Sequence, residues 1–115
     1  WRNLKKMDHD RILSSLSLCK KGGMLACGEF SVDEAVKSGR GWLVILATDA
    51  GARTKKDVTD MCSYYEVPVY EYGTKEELGR AAGKEYLSQV CVKDKNFSES
   101  ILKKLEVSYG KNKNS

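Results

Sequence analysis

Trp42-Leu-Val-Ile-Leu-Ala47, set between Gly41 and Thr48-Asp49, is an unbroken apolar run. It is too short for a buried helix and lacks the alternation of a strand with one wet face. Such a run reads as a central strand covered on both faces, which requires helices on either side of a sheet.

The flanking segments supply those helices. From Asp8, residues Ile12, Leu13 and Leu16 share one helical face, and Gly22-Gly23 stops the helix. Met24-Leu-Ala-Cys27 reads as a short strand. Ser31-Val-Asp-Glu34 has the S-x-x-E form of a capping box and predicts a helix that buries Val32, Ala35 and Val36 and ends at Gly39. Beyond the central strand, Thr54-Lys-Lys-Asp57 predicts the opening of an amphipathic helix with Val58, Met61, Cys62 and Tyr65 on its apolar face. Val67-Pro-Val-Tyr-Glu-Tyr72 reads as a strand with Pro68 tolerated near its start. Thr74-Lys-Glu-Glu77 repeats the capping-box pattern, before a short helix burying Leu78, Ala81 and Ala82 ahead of Gly83. Leu87 to Val92 is a fourth strand, and Asp94 or Asn96 caps a last helix that buries Phe97, Ile101, Leu102 and Leu105. This alternation predicts an α/β fold with a mixed, mostly parallel sheet between helical layers. Residues 8–109 form the expected single domain, and residues 110–115 a flexible polar tail.

The chain has 115 residues, 41% of them hydrophobic and 31% charged. That is long enough to bury roughly two-thirds of the unfolded surface in one core. The composition excludes disordered and collagen-like classes, and no apolar run approaches the ~18 residues of a membrane helix. No signal-peptide pattern opens the chain, which starts at Trp1 and reads polar; the expectation is that a few terminal residues belong to a processed form. Twenty Lys and Arg against sixteen Asp and Glu give a net charge of +4, which favours polyanionic partners. Cys19, Cys27, Cys62 and Cys91 contain no C-x-x-C pair, and His9 is the sole imidazole. Zinc ligation and triad chemistry are therefore not expected, nor is any other metal or cofactor. Thiols scattered among apolar residues read as reduced core residues of a cytoplasmic protein.

Gly79-Arg-Ala-Ala-Gly83-Lys84-Glu85 superficially suggests a phosphate-binding loop. Its glycines are one residue too close, and Glu85 stands where a magnesium-binding hydroxyl belongs. Helix-packing and helix-ending glycines explain the segment better. Asp49, just past the central strand, is the best-placed acid for catalysis on this architecture, although Asp in a turn is the commoner explanation.

Three stretches together resemble a known family. They are Leu43-Val-Ile-Leu-Ala-Thr-Asp-Ala50, Cys62-Ser-Tyr-Tyr-Glu-Val-Pro-Val69 and Gly73-Thr-Lys-Glu-Glu-Leu-Gly-Arg-Ala-Ala-Gly-Lys84. They resemble the central strand and turn, the helix-to-strand connection and the S/T-K-x-x-L-G-x-A-x-G segment of the ribosomal L-seven-Ae / L-thirty-e family of kink-turn RNA-binding proteins. The cysteine-tyrosine stretch is most similar to the small bacterial YlxQ-like branch. The resemblance runs from about Asp10 to Val107. It implies a three-layer α/β/α sandwich with a mixed four-stranded sheet, and a non-catalytic protein whose second helix presents its N-terminus to sharply bent RNA, ribosomal RNA among the candidates.

In the family motif G-x-N-E-x-x-K, the Asn and Glu read guanines of sheared G·A pairs and the Lys holds backbone. Here Gly28 matches, but Phe30 stands at the Asn position, Ser31 at the Glu position and Glu34 at the Lys position. Three lost contacts at about 1–3 kcal/mol each amount to about 3–9 kcal/mol of the usual affinity. Glu34 also sets like charge beside phosphate, as do Glu29 and Asp33. Other contact positions are retained in type: Lys37 along the second helix, Lys55 opening the third, Lys75 in the S/T-K pair, and Lys84 and Tyr86 in the loop implied to reach bulged nucleotides. Phe30 and Tyr86 offer rings for stacking on bases. The RNA-interface candidates are thus Gly28, Glu29, Phe30, Ser31, Lys37, Lys55, Lys75, Lys84 and Tyr86. The alternative is a protein-interaction module on the same fold, docking a partner on the acidic, aromatic patch around Phe30; a small-molecule enzyme using Asp49 and a cysteine is the third reading. A monomer is expected.

Overall fold

In the computed structural model, residues 2–113 are described, with side chains described for residues 11–107. Nine elements follow one another: α1 (Arg2–Lys21), β1 (Leu25–Cys27), α2 (Glu29–Lys37), β2 (Leu43–Leu46), α3 (Ala52–Tyr64), β3 (Val69–Glu71), α4 (Lys75–Ala81), β4 (Gln89–Val92) and α5 (Lys95–Lys113). Every strand and helix expected from the sequence is present, with shifted ends. α1 starts well before Asp8, and α5 continues through Gly110 to Lys113, while Asn114 and Ser115 of the expected tail lie outside the described residues.

The sheet order is β1-β4-β2-β3. β4 runs antiparallel to both neighbours, with Ala26 opposite Cys91 and Val44 opposite Cys91, and β2 alone is parallel to β3. The sheet is mixed as expected, but it is not mostly parallel. Alternation of helices and strands suggests β4 in line with β2; β4 instead begins at the end of the sheet where β3 finishes, after the seven-residue α4, so two of the three pairings are antiparallel.

Both faces of β2 are covered, as its uniformly apolar residues require. Leu43, Ile45 and Ala47 pack against Ile12, Leu16 and Cys19 of α1, Leu78 of α4, and Ile101 and Leu105 of α5. Val44 and Leu46 point the other way, onto Val32, Ala35 and Val36 of α2 and Val58 and Cys62 of α3. The period of two along the strand divides one apolar run between two cores. Trp42 falls outside both, being 44% exposed, with the Lys95 ammonium 5.9 Å from its ring. Tyr65, expected on the apolar face of α3, is instead exposed as its C-cap; the helix ends there because Glu66 turns left-handed, at φ 58°.

The two expected capping boxes divide into one met and one corrected. At α4, the Glu77 N–H donates to Thr74 Oγ1 at 3.1 Å and the Thr74 N–H donates to Glu77 Oε1 at 3.0 Å, completing the capping box. At α2 no such box exists. The helix begins at Glu29 with Gly28 as N-cap, which places Ser31 and Glu34 inside it, and Glu34 accepts from Arg40 instead. Gly28 adopts φ 89° and ψ 167°, a backbone region essentially restricted to glycine, and that geometry starts the helix before Ser31 can cap it. At α5, Asp94 is the cap, its Oδ2 accepting from the Phe97 N–H at 2.9 Å.

Candidate nucleic-acid interface

Strand direction decides which loops meet. β1, β2 and β3 end, and β4 begins, at the same edge of the sheet, because Cys27 faces Val90, Leu46 faces Gln89, and Leu46 also pairs with Glu71. The β1–α2 turn, the β2–α3 loop, the β3–α4 turn and the α4–β4 loop therefore form one end of the sandwich. Backbone hydrogen bonds tie them together: the Gly28 N–H donates to Gln89 O, Ala47 N–H to Ser88 O, Thr48 N–H to Gly73 O, and Leu87 N–H to Lys75 O, all at 2.8–3.1 Å. The candidate residues Gly28 to Ser31, Lys75, Lys84 and Tyr86, 58 residues apart in sequence at the extremes, belong to this one end.

Each residue is presented differently there. Gly28 as N-cap leaves the first-turn amides of α2 without intrahelical partners, so the helix offers free N–H groups and the positive end of its dipole. Glu29 and Ser31 are exposed in that turn, and the Phe30 ring is 81% exposed, free of the core. The Tyr86 ring is 64% exposed beside exposed Lys84 and Glu85. Lys75 is half-buried, its backbone N–H donating to Asp49 Oδ1 at 2.8 Å and its carbonyl accepting from Leu87. Through that bond Asp49 holds the start of α4 against the β2–α3 loop, which is a structural role.

Two lysines stand apart from the group. Lys55 is turned inward, its ammonium donating to Thr48 O at 2.7 Å and pairing with Glu71 at 3.0 Å. It braces the β2–α3 loop against β3. Lys37 lies at the far end of α2, paired with Asp33 at 3.2 Å, in a cleft of about 230 Å3 between α2 and α3 that also holds Glu29 and Asp57. The cleft has more carboxylates than ammoniums and is poorly suited to phosphate.

The helix-packing and helix-ending readings of Gly79 and Gly83 hold, and the structure adds what packs on Gly79, the α4–β4 loop. A side chain at Gly79 would place its Cβ 2.7 Å from Glu85 O, 2.8 Å from Glu85 C and 2.9 Å from Tyr86 Cα. The loop thus lies directly on α4, and the Lys84 N–H donates to Gly79 O at 2.7 Å. The Gly79 and Gly83 pair that mimics a phosphate loop has a packing role at Gly79 and a left-handed turn at Gly83, φ 73°. The signal was present as glycine inside a helix, which costs stability unless something approaches closely.

The four cysteines are free thiols, three of them buried and Cys27 half-buried. Burial pushes Cys19 and Cys62 up to about 11 and Cys91 up to about 12, so they are protonated, unreactive core residues near neutral pH. Among the described residues, no cluster of three or more His, Cys, Asp or Glu side chains is placed to hold a metal ion, and no helix is long and apolar enough to cross a membrane.

The chain has relatives among known proteins. It is 35% identical over 91 residues to the RNA-binding protein YlxQ of Bacillus subtilis, covering 79% of this chain and 91% of the relative. It is 31% identical over 101 residues to the large ribosomal subunit protein eL30 of Euphorbia esula, covering 84% and 90% of the two chains. Among solved structures, a Bacillus halodurans protein of unknown function superposes with a TM-score of 0.79 at 40% identity, over 83% of this chain and 96% of that one. The Giardia lamblia 15.5kD RNA binding protein shares the fold, with a TM-score of 0.69 at 22% identity over 83% and 84% of the two chains. The named relatives are RNA-binding and ribosomal proteins. Residues 10–103 match the profile of the ribosomal protein L7Ae/L30e/S12e/Gadd45 family, and with these relatives the match establishes that the chain belongs to that family.

Proposed function

We propose that the protein is a non-catalytic, ribosome-associated RNA-binding protein of the cytoplasm, acting as a monomer on structured, kink-turn-like RNA. The observation that carries this reading is the single end of the sandwich on which the α2 N-terminus and the α4–β4 loop meet, bridged by the Gly28–Gln89 hydrogen bond. Free amides at a helix start bind phosphate, and the exposed Phe30 and Tyr86 rings are suited to unstacked bases. Bent RNA exposes such bases and the groove edges that a regular A-form helix hides. Gly28, Glu29, Phe30 and Ser31 with Lys75, Lys84 and Tyr86 form the proposed contact surface. Lys37 and Lys55 lie outside that surface, held in pairs with Asp33 and Glu71.

The test is a titration with a kink-turn RNA and a straight duplex of equal length at two salt concentrations. Tighter binding to the kinked RNA supports the reading, and Phe30→Ala or Tyr86→Ala should then each weaken it about 5- to 150-fold, the worth of one stacked base. Equal, weak, salt-sensitive binding to both RNAs refutes recognition of the bend. The exposure of Phe30 beside Glu29 and Glu34 supports a second reading, a surface for a basic protein partner. It predicts that Phe30→Ala abolishes that partnership and leaves RNA affinity unchanged.

A further inference from the structure

β1 and β3 are the two edge strands of the sheet, and the edge formed by β1 lies beside this end of the molecule. β1 pairs only with β4, so the outer edge of Leu25 to Cys27 is unpaired, and a cavity of about 240 Å3 lies over it between the end of α1 and α2. Lys20 enters this cavity from the last turn of α1, Lys93 from the end of β4 and Lys84 from the α4–β4 loop; Arg40 and Glu34 form the wall toward α2. Arg40 is neutralised by Glu34 at 3.2 Å. Among the described residues, no carboxylate pairs with Lys20, Lys84 or Lys93. Three uncompensated ammoniums therefore converge on a concave site whose floor is the half-buried Cys27. The thiol registers all three: burial raises its pKa, and Lys20, Lys84 and Lys93 each oppose that rise.

We infer that this groove is a phosphate track, in which Lys20, Lys84 and Lys93 hold consecutive phosphodiesters of the RNA strand that continues past the α4–β4 loop. The inference rests on the RNA-binding reading above and extends it around the edge of the sheet. Lys84 belongs to both surfaces, so a backbone seated beside Tyr86 is led into the groove without a gap. Charge sets the occupant, since an acidic strand of RNA matches the uncompensated lysines whereas a basic or apolar segment does not. The lysines also discourage another β-strand from adding to the edge. The same three side chains thus protect the edge when it is empty and bind polyanion when it is filled.

The experiment compares the full chain with Lys20→Ala/Lys93→Ala, which leaves Lys84, Tyr86 and the α2 N-terminus intact. The probes are a kink-turn RNA with a long flanking duplex, the same RNA trimmed at the kink, and inorganic phosphate. For the long RNA, loss of two phosphate contacts should lower the slope of log K against log salt by about 1.8, at about 0.9 per contact. Extrapolated from 1 M salt, where the ionic contribution vanishes, that is about a 60-fold weaker Kd at 0.1 M. The trimmed RNA should bind both proteins alike, and Lys20→Arg/Lys93→Arg should restore the slope. Folding is checked by thermal unfolding of each variant. An unchanged slope on the long RNA overturns the inference while leaving the RNA-binding reading intact, whereas failure of the unaltered protein to bind either RNA overturns both. If the alanine variant loses affinity for inorganic phosphate alone, the groove is a free-anion site and the track is refuted. If it dimerises with an unchanged slope, the lysines serve only to guard the edge.

Discussion

Gly79→Ala sets two well-characterised effects against each other, and the structure decides between them. Alanine in a helix interior is favoured over glycine by about 1 kcal/mol, so α4 taken alone predicts a stabilised protein. Against this, the new Cβ would sit 2.7–2.9 Å from backbone atoms of Glu85 and Tyr86. Those atoms cannot rotate away as a side chain end would, and relief to ordinary contact needs a displacement of about 0.7 Å. Overpacking of this kind costs about 1–3 kcal/mol, and three simultaneous backbone contacts put Gly79 at the upper end. The expected net effect is a loss of about 2 kcal/mol, or about 8 °C in Tm for a domain of this size. The 2.7 Å bond from the Lys84 N–H to Gly79 O would be strained by the same movement, displacing Lys84 and Tyr86, so affinity for structured RNA should fall with stability. Urea unfolding and an RNA titration on one preparation measure both. A variant as stable as the parent or more so would refute the close-packing argument, and a destabilised variant with unchanged RNA affinity would refute the link between Gly79 and the loop.

Gly28→Ala should cost about 1–3 kcal/mol in denaturant unfolding although its Cβ would meet open space, because φ 89° with ψ 167° is strained for any L side chain. Glu34→Lys breaks an exposed pair with Arg40 and should change stability by less than about 1 kcal/mol, while raising RNA affinity and steepening its salt dependence by about one unit; an unchanged slope would mean that this face of α2 does not meet RNA. Raised thiol pKa values set an alkaline limit. Unfolded cysteines ionise near 9 while buried Cys19, Cys62 and Cys91 hold their protons to about 11, 11 and 12, so the unfolded state binds fewer protons above pH 9. Stability should therefore be level in this respect below pH 9 and fall between pH 9 and 12, and Cys91→Ala should shrink that fall when unfolding is followed against pH.

The elements and their chemistry were legible in the order of residues alone. A strand buried on both faces needs only local information, because Leu43 to Ala47 are uniformly apolar, and the Thr74 capping box is closed by residues three apart. The amphipathic faces of α1 and α5 and the core thiols could be read for the same reason, whereas the α5 cap was narrowed to Asp94 or Asn96 and the Phe97 N–H selects Asp94. The motif departures at Phe30, Ser31 and Glu34 were also plain, since residue identity needs no coordinates.

Whatever depends on which segments become neighbours was settled by the folded arrangement. The start of α2 followed the backbone geometry of Gly28 rather than the local Ser31-x-x-Glu34 pattern, because a left-handed N-cap fixed by its bond to Gln89 begins the helix early. The place of β4 between β1 and β2, and its start at the end of the sheet where β3 finishes, are encoded by no spacing along the chain. Lysines that looked equivalent in sequence were separated by their partners. Lys55 is held by Thr48 and Glu71 and Lys37 by Asp33, whereas Lys20 and Lys93, which belong to no motif, meet Lys84 over the β1 edge. A charge acquires its role from what lies within a few ångströms, and at that distance folding, not sequence order, chooses the neighbours.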